Sequence, residues 1–405
     1  MTAHTAYSEG FDRFAAGLPA AERTARRARL DRFLAAGFPS TRLEQWRYTD
    51  LAPLAEKQFA ADIDGGVVPD TALLPGAARL VYVNGVLNRA NSSVHELHGQ
   101  SSPSEVDDRL AHLNAAFATG GLQLRLERGQ RLPAPLQVLV ASIPHPIPAM
   151  VHQHHRIELG ENAEATVIFE FLGGDPQRLG TQIIEINLAA NARLHLYRIQ
   201  DEHSGATLIT RTDARLARDS SLLAVTVDAG GGLVRHDFNA LLAESGAEIE
   251  LAGLYQPASG GHIDNHTRIV HAAPHCRSRE LYKGIVEART RAVFNGSILV
   301  QAGAQKTDSA QRVANLLLSP RAEVDAKPEL EIYADDVKCA HGATVGQLDE
   351  AALHYLRSRG IGEAEARALL MRGFAAEVLE RIELPELRRR SAERLGYAAE
   401  AELAA

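Results

Sequence analysis

A turn signal that recurs at an interval close to 29 residues restricts the fold of this chain more than any other feature. In each copy, a small or polar residue is followed by Ala or Ser and then by an apolar run. The copies are Asn162-Ala163, Asn191-Ala192, Ser220-Ser221 and Gly246-Ala247, at offsets of 29, 29 and 26 residues. A related turn at Arg291-Ala292 precedes Arg321-Ala322 by 30 residues. Such an interval is typical of a protein built from stacked structural repeats.

The segments between these turns alternate apolar and polar residues with a period of two, as in residues 193–199, 223–227 and 248–251. This period predicts short β-strands. Strands that repeat without intervening helices favour a solenoid in which each coil buries one face on the next. An antiparallel β-sandwich is the alternative, since its turns also recur at strand spacing. The long repeat favours a mainly β fold with a β-helix core over residues 121–345.

Residues 1–120 are predicted to form an N-terminal helical module with linkers. Helical spacing extends over about residues 8–54, where Pro19 can open a helix and Gly37 with Pro39 can close it. Turn-rich connections follow at residues 62–70 and 91–108, with one short apolar strand at residues 80–83 between them.

Residues 346–405 return to a helical pattern. Asp349 is a candidate N-cap and Gly360 a stop signal, and Pro385 fits the start of a last helix. One buried side of this unit is predicted from Leu353 and Leu356 in the first helix and from a four-residue stripe in the second, made of Ala366, Leu370, Phe374, Val378 and Ile382. Such a stripe usually packs within its own domain, but in a small terminal unit it can also serve a partner.

Charge and composition restrict the partners. The formal net charge of −8 gives no general attraction to nucleic acid or to anionic membranes. The sequence lacks a run of about 20 apolar residues that could span a bilayer, and its first 30 residues do not resemble a signal peptide. Two cysteines in 405 residues do not form a disulfide framework and suit a reducing compartment. We therefore expect a cytosolic protein with neither nucleic acid nor membrane as partner.

The strongest local signal for chemistry is Cys339 followed by His341, next to Lys338. Residues two apart in a strand point to the same side, so thiol and imidazole would be presented together. Both groups bind iron or zinc, and a thiolate can carry sulfur; Lys338 or an imidazolium would lower the pKa of the thiol. The alternative is that Cys339 is simply a small buried residue. Because a permanent cluster normally needs four thiolates, any cluster here would be transient or shared with another chain.

Two further groups of polar residues could have a function. One is His152, His154 and His155, and the other is the alternating set His262, Asp264 and His266, which could bind a metal or transfer protons. The more ordinary interpretation is that both are solvated outward faces of strands. Cys276 is expected in the core.

Several catalytic motifs are absent. The sequence contains no GxxxxGK[ST] phosphate loop, no GxSxG elbow, no HExxH pair and no GxGxxG after a strand. The chain therefore offers no self-contained catalytic apparatus.

Three stretches of the chain resemble the SufB/SufD family of iron-sulfur cluster assembly scaffolds. The first is residues 39–49 (PSTRLEQWRYT), and the second comprises residues 278–284 (SRELYKG) and 305–319 (QKTDSAQRVANLLLS). The third, and the most specific, comprises residues 338–346 (KCAHGATVG) and 355–361 (YLRSRGI). The HGATVG segment and the length are more similar to the SufD branch than to the SufB branch, whose scaffold cysteines are not found here.

The resemblance implies a right-handed parallel β-helix, a heterodimer with SufB and a C-terminal domain that docks the SufC ATPase. It places Cys339 and His341 at the SufB interface, where His341 would be a ligand or proton acceptor for a transient cluster, supported by Cys339. It identifies Leu353, Leu356, Leu370, Phe374 and Val378 as docking candidates. A reduced flavin in the complex and a homodimer of the isolated chain are further expectations.

Two other functions are compatible with a solenoid. One is an enzyme acting on polysaccharide, which a secreted β-helix commonly is, although no secretion signal is expected here. The other is a purely structural bridge between partners, with both cysteines inert.

Overall fold

The computed structural model describes residues 3–61, 63–68, 72–100 and 108–397. Most of its helices lie near the two ends of the chain, and one of them, at residues 109–117, follows three short strands and precedes the long run of strands. Parts of the predicted connections at residues 62–70 and 91–108 lie outside the described residues. The helices are α1 (Ala3–Phe14), α2 (Ala20–Ala36), α3 (Ala52–Ala55), α4 (Arg109–Phe117), α5 (Glu350–Ser358), α6 (Glu363–Leu379) and α7 (Pro385–Arg394).

The strands form two sheets. The first contains β1 (Ala78–Val83), β2 (Val86–Leu87), β5 (Leu136–Ser142), β7 (Glu164–Gly173), β9 (Arg193–Glu202), β11 (Ser221–Gly230), β13 (Glu248–Gln256), β15 (Arg277–Val286), β17 (Asp308–Leu317) and β19 (Lys338–Gly346). The second contains β3 (His98–Gly99), β4 (Gly121–Leu126), β6 (Met150–Leu159), β8 (Leu179–Leu188), β10 (Thr207–Leu216), β12 (Leu233–Leu242), β14 (His262–His271), β16 (Arg291–Val300) and β18 (Glu323–Ile332). We call the first the odd sheet, although it also contains β2, and the second the even sheet.

From β4 to β19 the chain alternates between the sheets, and each strand pairs in parallel with the strand two further along. Arg277 of β15, for example, is in register with Asp308 of β17, which is in register with Lys338 of β19. The result is a solenoid of about 8 turns. The predicted mainly β fold with a parallel β-helix core is confirmed, and the antiparallel sandwich is wrong.

The recurring turn has a backbone cause. A residue with positive φ precedes each odd strand from β7 to β17, namely Asn162, Asn191, Asp219, Gly246, His275 and Lys306. Left-handed backbone favours Asn, Asp and Gly, which explains the polar or small first member of the signal. The residue after each of them is small or medium-sized and buried at the corner of the coil: Ala163, Ala192, Ser220, Ala247, Cys276 and Thr307. The third turn therefore begins at Asp219, one residue earlier than the sequence indicates.

The N-terminal helices cover the outer face of the even sheet. Phe11, Phe33 and Phe117 form a core with Leu179 and Ile209 of that sheet. Pro19 directly precedes α2, and Gly37, with a φ of 65°, ends it. The strand predicted near residues 80–83 is β1, which pairs in parallel with β5 and so extends the odd sheet.

The C-terminal helices cover the outer face of the odd sheet. The Asp349 carboxylate accepts hydrogen bonds from the N–H groups of Ala351 and Ala352 and so caps α5. Gly360 has a φ of 90° just beyond α5, and Pro385 is the first residue of α7. These boundaries confirm the predicted helices. No helix in the described part of the chain is long and apolar enough to cross a membrane.

The two ends of the solenoid differ. At the N-terminal end, β1, β2 and β3 extend the sheets beyond β5 and β4. At the C-terminal end, β18 and β19 pair on one side only, and no described strand follows them. Large apolar side chains are exposed there, with Ile332 at 40%, Tyr333 at 64% and Val345 at 50%. We call the surface formed by β18 and β19 the open end.

Candidate functional site

Strand β19 places Cys339 and His341 at the open end. Cys339 is in register with Ser309 of β17, and His341 with Gln311. Cys339 is half-buried and packs against the apolar interior of the solenoid. His341, two residues later, points to the same inner side but is exposed, because no further coil covers it within the described residues. The structure thus brings the two predicted residues together; their role as ligands stays a prediction.

The pKa of the Cys339 thiol is raised, and not lowered as the sequence suggested. Burial raises its pKa, the Asp308 carboxylate raises it further, and a hydrogen bond from the Ser309 backbone only partly opposes these effects. The expectation that Lys338 would lower this pKa is wrong, because neighbouring residues in a strand point to opposite faces. The thiol is therefore mainly protonated at neutral pH, and a bound metal would have to displace its proton.

Polar side chains line the interior behind both residues. Behind Cys339, the Ser309 hydroxyl lies 2.8 Å from that of Ser278, which lies 2.9 Å from Nε2 of His271. Behind His341, Gln311 donates from Nε2 to Oε2 of Glu280. Burial raises the pKa of Glu280 to about 7, although the hydrogen bond from Gln311 opposes the shift.

These interior residues are not among those predicted from the sequence. A signal was present, since Ser278 and Glu280, and likewise Ser309 and Gln311, occupy alternate positions that elsewhere in the solenoid hold apolar residues. A polar residue on the buried face of a strand needs a partner, and that requirement identifies it as a candidate for function.

Among the described residues, no group of three or more His, Cys, Asp or Glu side chains could hold a metal ion. Cys339 and His341 supply two donors, an imidazole and a thiol. Since clusters and structural metals use about four ligands, a cluster at the open end needs donors from another molecule or from small ligands.

Cys276 lies in the core, as expected. It occupies the corner position that Ala163, Ala192 and Ala247 fill in other coils. Its thiol donates to the backbone oxygen of Glu244 at 3.3 Å, and burial raises its pKa. This environment makes Cys276 a packing residue.

The three histidines of β6 are buried, so the interpretation as a solvated face is wrong. His152 and His154 lie on the outer side beneath α4, and His155 points into the solenoid. Nδ1 of His155 accepts from the Leu122 N–H at 3.0 Å, so Nε2 donates to Gln182. Burial lowers the pKa values of His152 and His155 to about 3. His152 and His155 are therefore neutral structural residues.

The alternating set on β14 is also covered. Thr49 donates to Oδ2 of Asp264 at 2.5 Å and lies 2.8 Å from Nε2 of His262. Asp264 is only 1% exposed and pairs with Arg235 at 2.6 Å and His266 at 2.9 Å. Burial alone would raise the pKa of Asp264, but these partners hold this pKa well below its ordinary value. The set anchors the N-terminal segment, and the solvated interpretation is wrong here too.

The predicted docking residues differ in exposure. Leu353 and Val378 are buried, while Leu356, Leu370 and Phe374 are half-buried. Val378 and Phe374 pack on the odd sheet of the same chain, where Lys283 donates to the Phe374 carbonyl at 2.9 Å and its Nζ lies 4.3 Å from the ring centre. A partner could therefore reach Leu356 and Leu370 without displacing the helices, and could not reach Val378.

Comparison with known proteins finds a family and relatives that cover most of this chain. Residues 143–374 match the family model described as "SUF system FeS cluster assembly, SufBD core domain". The chain is 34% identical over 384 residues to the iron-sulfur cluster assembly protein SufD of Escherichia coli, covering 91% of this chain and 90% of that protein. It is 31% identical to a SufBD family protein of Synechocystis, covering 87% and 85% of the two chains. It is 28% identical to SufD of Bacillus subtilis, covering 73% and 68%.

The chain therefore belongs to the SufBD family of the SUF system for iron-sulfur cluster assembly. Within that family it is SufD-like.

Proposed function

We propose that this protein is the SufD-type subunit of a complex with SufB and SufC, and that a nascent iron-sulfur cluster forms where its open end meets SufB. The observation that carries the proposal is the unpaired last coil. Ile332, Tyr333 and Val345 expose apolar surface there, on or directly after the two strands of the coil that contains Cys339 and His341. Unpaired strand edges and clustered apolar side chains are typical of surfaces that another protein covers.

The cluster would be cargo shared between the subunits. Cys339 and His341 supply two of its donors from one side, and SufB supplies the others. His341 is the more accessible donor, because it is exposed and the Cys339 thiol is half-buried and protonated. We therefore assign the leading role to His341. The proposed setting is the cytosol, where a free thiol such as Cys339 stays reduced.

SufC would bind the C-terminal helices. Leu356 and Leu370 are half-buried, and Tyr355 is 57% exposed, so these helices offer apolar surface to a partner. On the other side, Val378 packs on the odd sheet, which ends at β19. When two SufC subunits dimerise on ATP binding, they would thus pull on the C-terminal helices. These helices are attached to the odd sheet, whose last strand carries Cys339 and His341. In this proposal the chain is a non-catalytic scaffold subunit.

The test is co-expression of the chain with SufB and SufC, followed by anaerobic purification and analysis of iron and acid-labile sulfide. His341→Ala should leave the complex assembled and lower both contents at least about tenfold, as expected when a metal ligand is removed. His203→Ala is the control, because His203 lies in an exposed turn between β9 and β10. A His341→Ala complex with the iron and sulfide content of wild type would refute the proposal.

A further inference from the structure

Three inward-facing residues form one column at the C-terminal end of the solenoid. Glu280 of β15 is in register with Gln311 of β17, which is in register with His341 of β19. Adjacent strands in a sheet are about 4.8 Å apart, so each side chain of such a column lies against the next. Glu280 and Gln311 are buried, and His341 is the only one of the three that is exposed.

The orientation of the Gln311 amide is fixed by its neighbours. Nε2 donates to Oε2 of Glu280, so the amide oxygen faces away from β15. On the opposite sheet, a Cβ added at Gly296 would collide with the same Nε2. The absence of a side chain at Gly296 thus makes room for the amide, and the backbone there restricts its movement. Gln311 Oε1 is buried and has no hydrogen-bond partner within the described part of the chain.

The neighbouring column beneath Cys339 differs. There the Ser309 hydroxyl is already joined to that of Ser278 at 2.8 Å, and the chain of hydrogen bonds continues to His271. The amide oxygen directly beneath His341 thus has no partner among the described residues, whereas the hydroxyl directly beneath Cys339 already has one. A neutral imidazole has one N–H and one lone pair, and a hydrogen bond to one nitrogen decides which nitrogen can bind a metal.

We infer that Gln311, held by Glu280, is a positioning residue that accepts a hydrogen bond from one ring nitrogen of His341 and so turns the lone pair of the other nitrogen toward the open end. This inference rests on the proposed function of His341 and adds to it a second layer of residues. Glu280 acts through Gln311, because it accepts from Nε2 and so leaves the amide oxygen available to His341.

The first test uses the full-length chain alone, labelled with ¹⁵N-histidine, at pH 8.5. The wild-type spectrum should contain a slowly exchanging ring N–H resonance that is absent from His341→Ala and therefore belongs to His341. Gln311→Leu should remove the slow exchange, since leucine cannot accept a hydrogen bond. Glu280→Gln should retain it, because a glutamine oxygen can replace the carboxylate as acceptor, whereas Glu280→Leu should weaken it.

Val313→Ala is the matched control. Val313 is the next inward residue of β17 after Gln311, so the variant loosens the same coil without touching the column. It should retain the slow exchange. If Gln311→Leu keeps the resonance, or if Val313→Ala loses it as well, the positioning role is wrong.

The second test measures iron and sulfide in the complex with SufB and SufC. Gln311→Leu should lower both contents about 10- to 100-fold, the range for loss of a residue that orients a metal ligand. If His341→Ala abolishes cluster formation while Gln311→Leu matches wild type, the positioning role fails and the proposed function stands. If His341→Ala itself has no effect, the proposed function fails.

Discussion

The guanidinium carbon of Arg235 lies 3.8 Å from the centre of the Trp46 ring, which joins the N-terminal segment to the even sheet. The same guanidinium donates to the backbone oxygen of Gln45 and pairs with Asp264. These partners together compensate the cost of burying the charge of Arg235, so the loss of any one of them destabilises the fold. The segment of residues 39–49, one of the three family-like stretches, therefore fastens the N-terminal module to the solenoid.

Trp46→Ala should lower the free energy of unfolding by about 3 kcal/mol, because it removes a buried indole and the cover over Arg235. Urea unfolding measures this loss, and limited proteolysis should cut the chain near residues 39–49 more rapidly. Arg42→Ala, an exposed position in the same segment, is the control and should change stability by less than about 0.5 kcal/mol. Equal stability of Trp46→Ala and wild type would contradict the anchoring role.

The buried imidazole of His155 should make the fold sensitive to mild acid. Its pKa is about 3 in the folded chain and about 6.5 when unfolded, so below pH 6.5 the unfolded state takes up a proton that the folded state does not. Between pH 8 and pH 5 this costs the wild type about 2 kcal/mol. His155→Gln removes the titrating group and should lose correspondingly less stability over that range.

Urea unfolding at the two pH values checks this prediction. His203→Gln, at an exposed turn, is the control and should keep the pH profile of wild type. A His155→Gln variant with the same acid sensitivity as wild type would show that the ring is already accessible to protons in the folded protein.

The two thiols should react with iodoacetamide in a fixed order. Cys339 is half-buried with a raised pKa, so its rate of alkylation should still be increasing above pH 9. Cys276 is buried and should react only after unfolding. Mass spectrometry of peptides after timed labelling measures both rates, with Cys339→Ala as the control that identifies the faster site. A rate for Cys339 that levels off near pH 7 would mean that the thiol is activated after all.

Two substitutions on α6 should affect SufC binding and folding stability separately. Leu370→Glu places a charge on a half-buried position and should weaken co-purification of SufC at least tenfold with little change in unfolding. Val378→Ala removes a buried contact with the odd sheet and should lower stability by about 1 to 2 kcal/mol while SufC still binds. Ala364→Glu, at an exposed position of the same helix, is the control. If Leu370→Glu retains SufC, the docking surface lies elsewhere.

The repeat and the helix boundaries could be predicted from sequence because each depends on local backbone geometry. Asn162 and Asn191 adopt the positive φ that their residue type favours, and Asp349 caps the helix that it precedes. The shared face of Cys339 and His341 followed in the same way from the alternation of side chains along a strand.

What covers each face could not be predicted, since the covering residues are distant in sequence. Thr49 bonds His262 across 213 positions, and no local pattern encodes such a contact. Alternation indicated that His262 and Asp264 share a face and left open whether water or protein lies over it. The raised pKa of the Cys339 thiol could not be predicted for a related reason, because Lys338 is adjacent in sequence and points to the other side of the sheet.

The open end has a consequence for the order in which the solenoid loosens. Each coil of such a protein is stabilised by its neighbours, and among the described strands the coil of β18 and β19 has one neighbouring coil where the inner coils have two. Amide hydrogens of β19 should therefore exchange with solvent sooner than those of β11 or β13. In the free chain, the strand that carries His341 is therefore the first to open. A partner bound to this strand would stabilise it more than it would stabilise any inner strand.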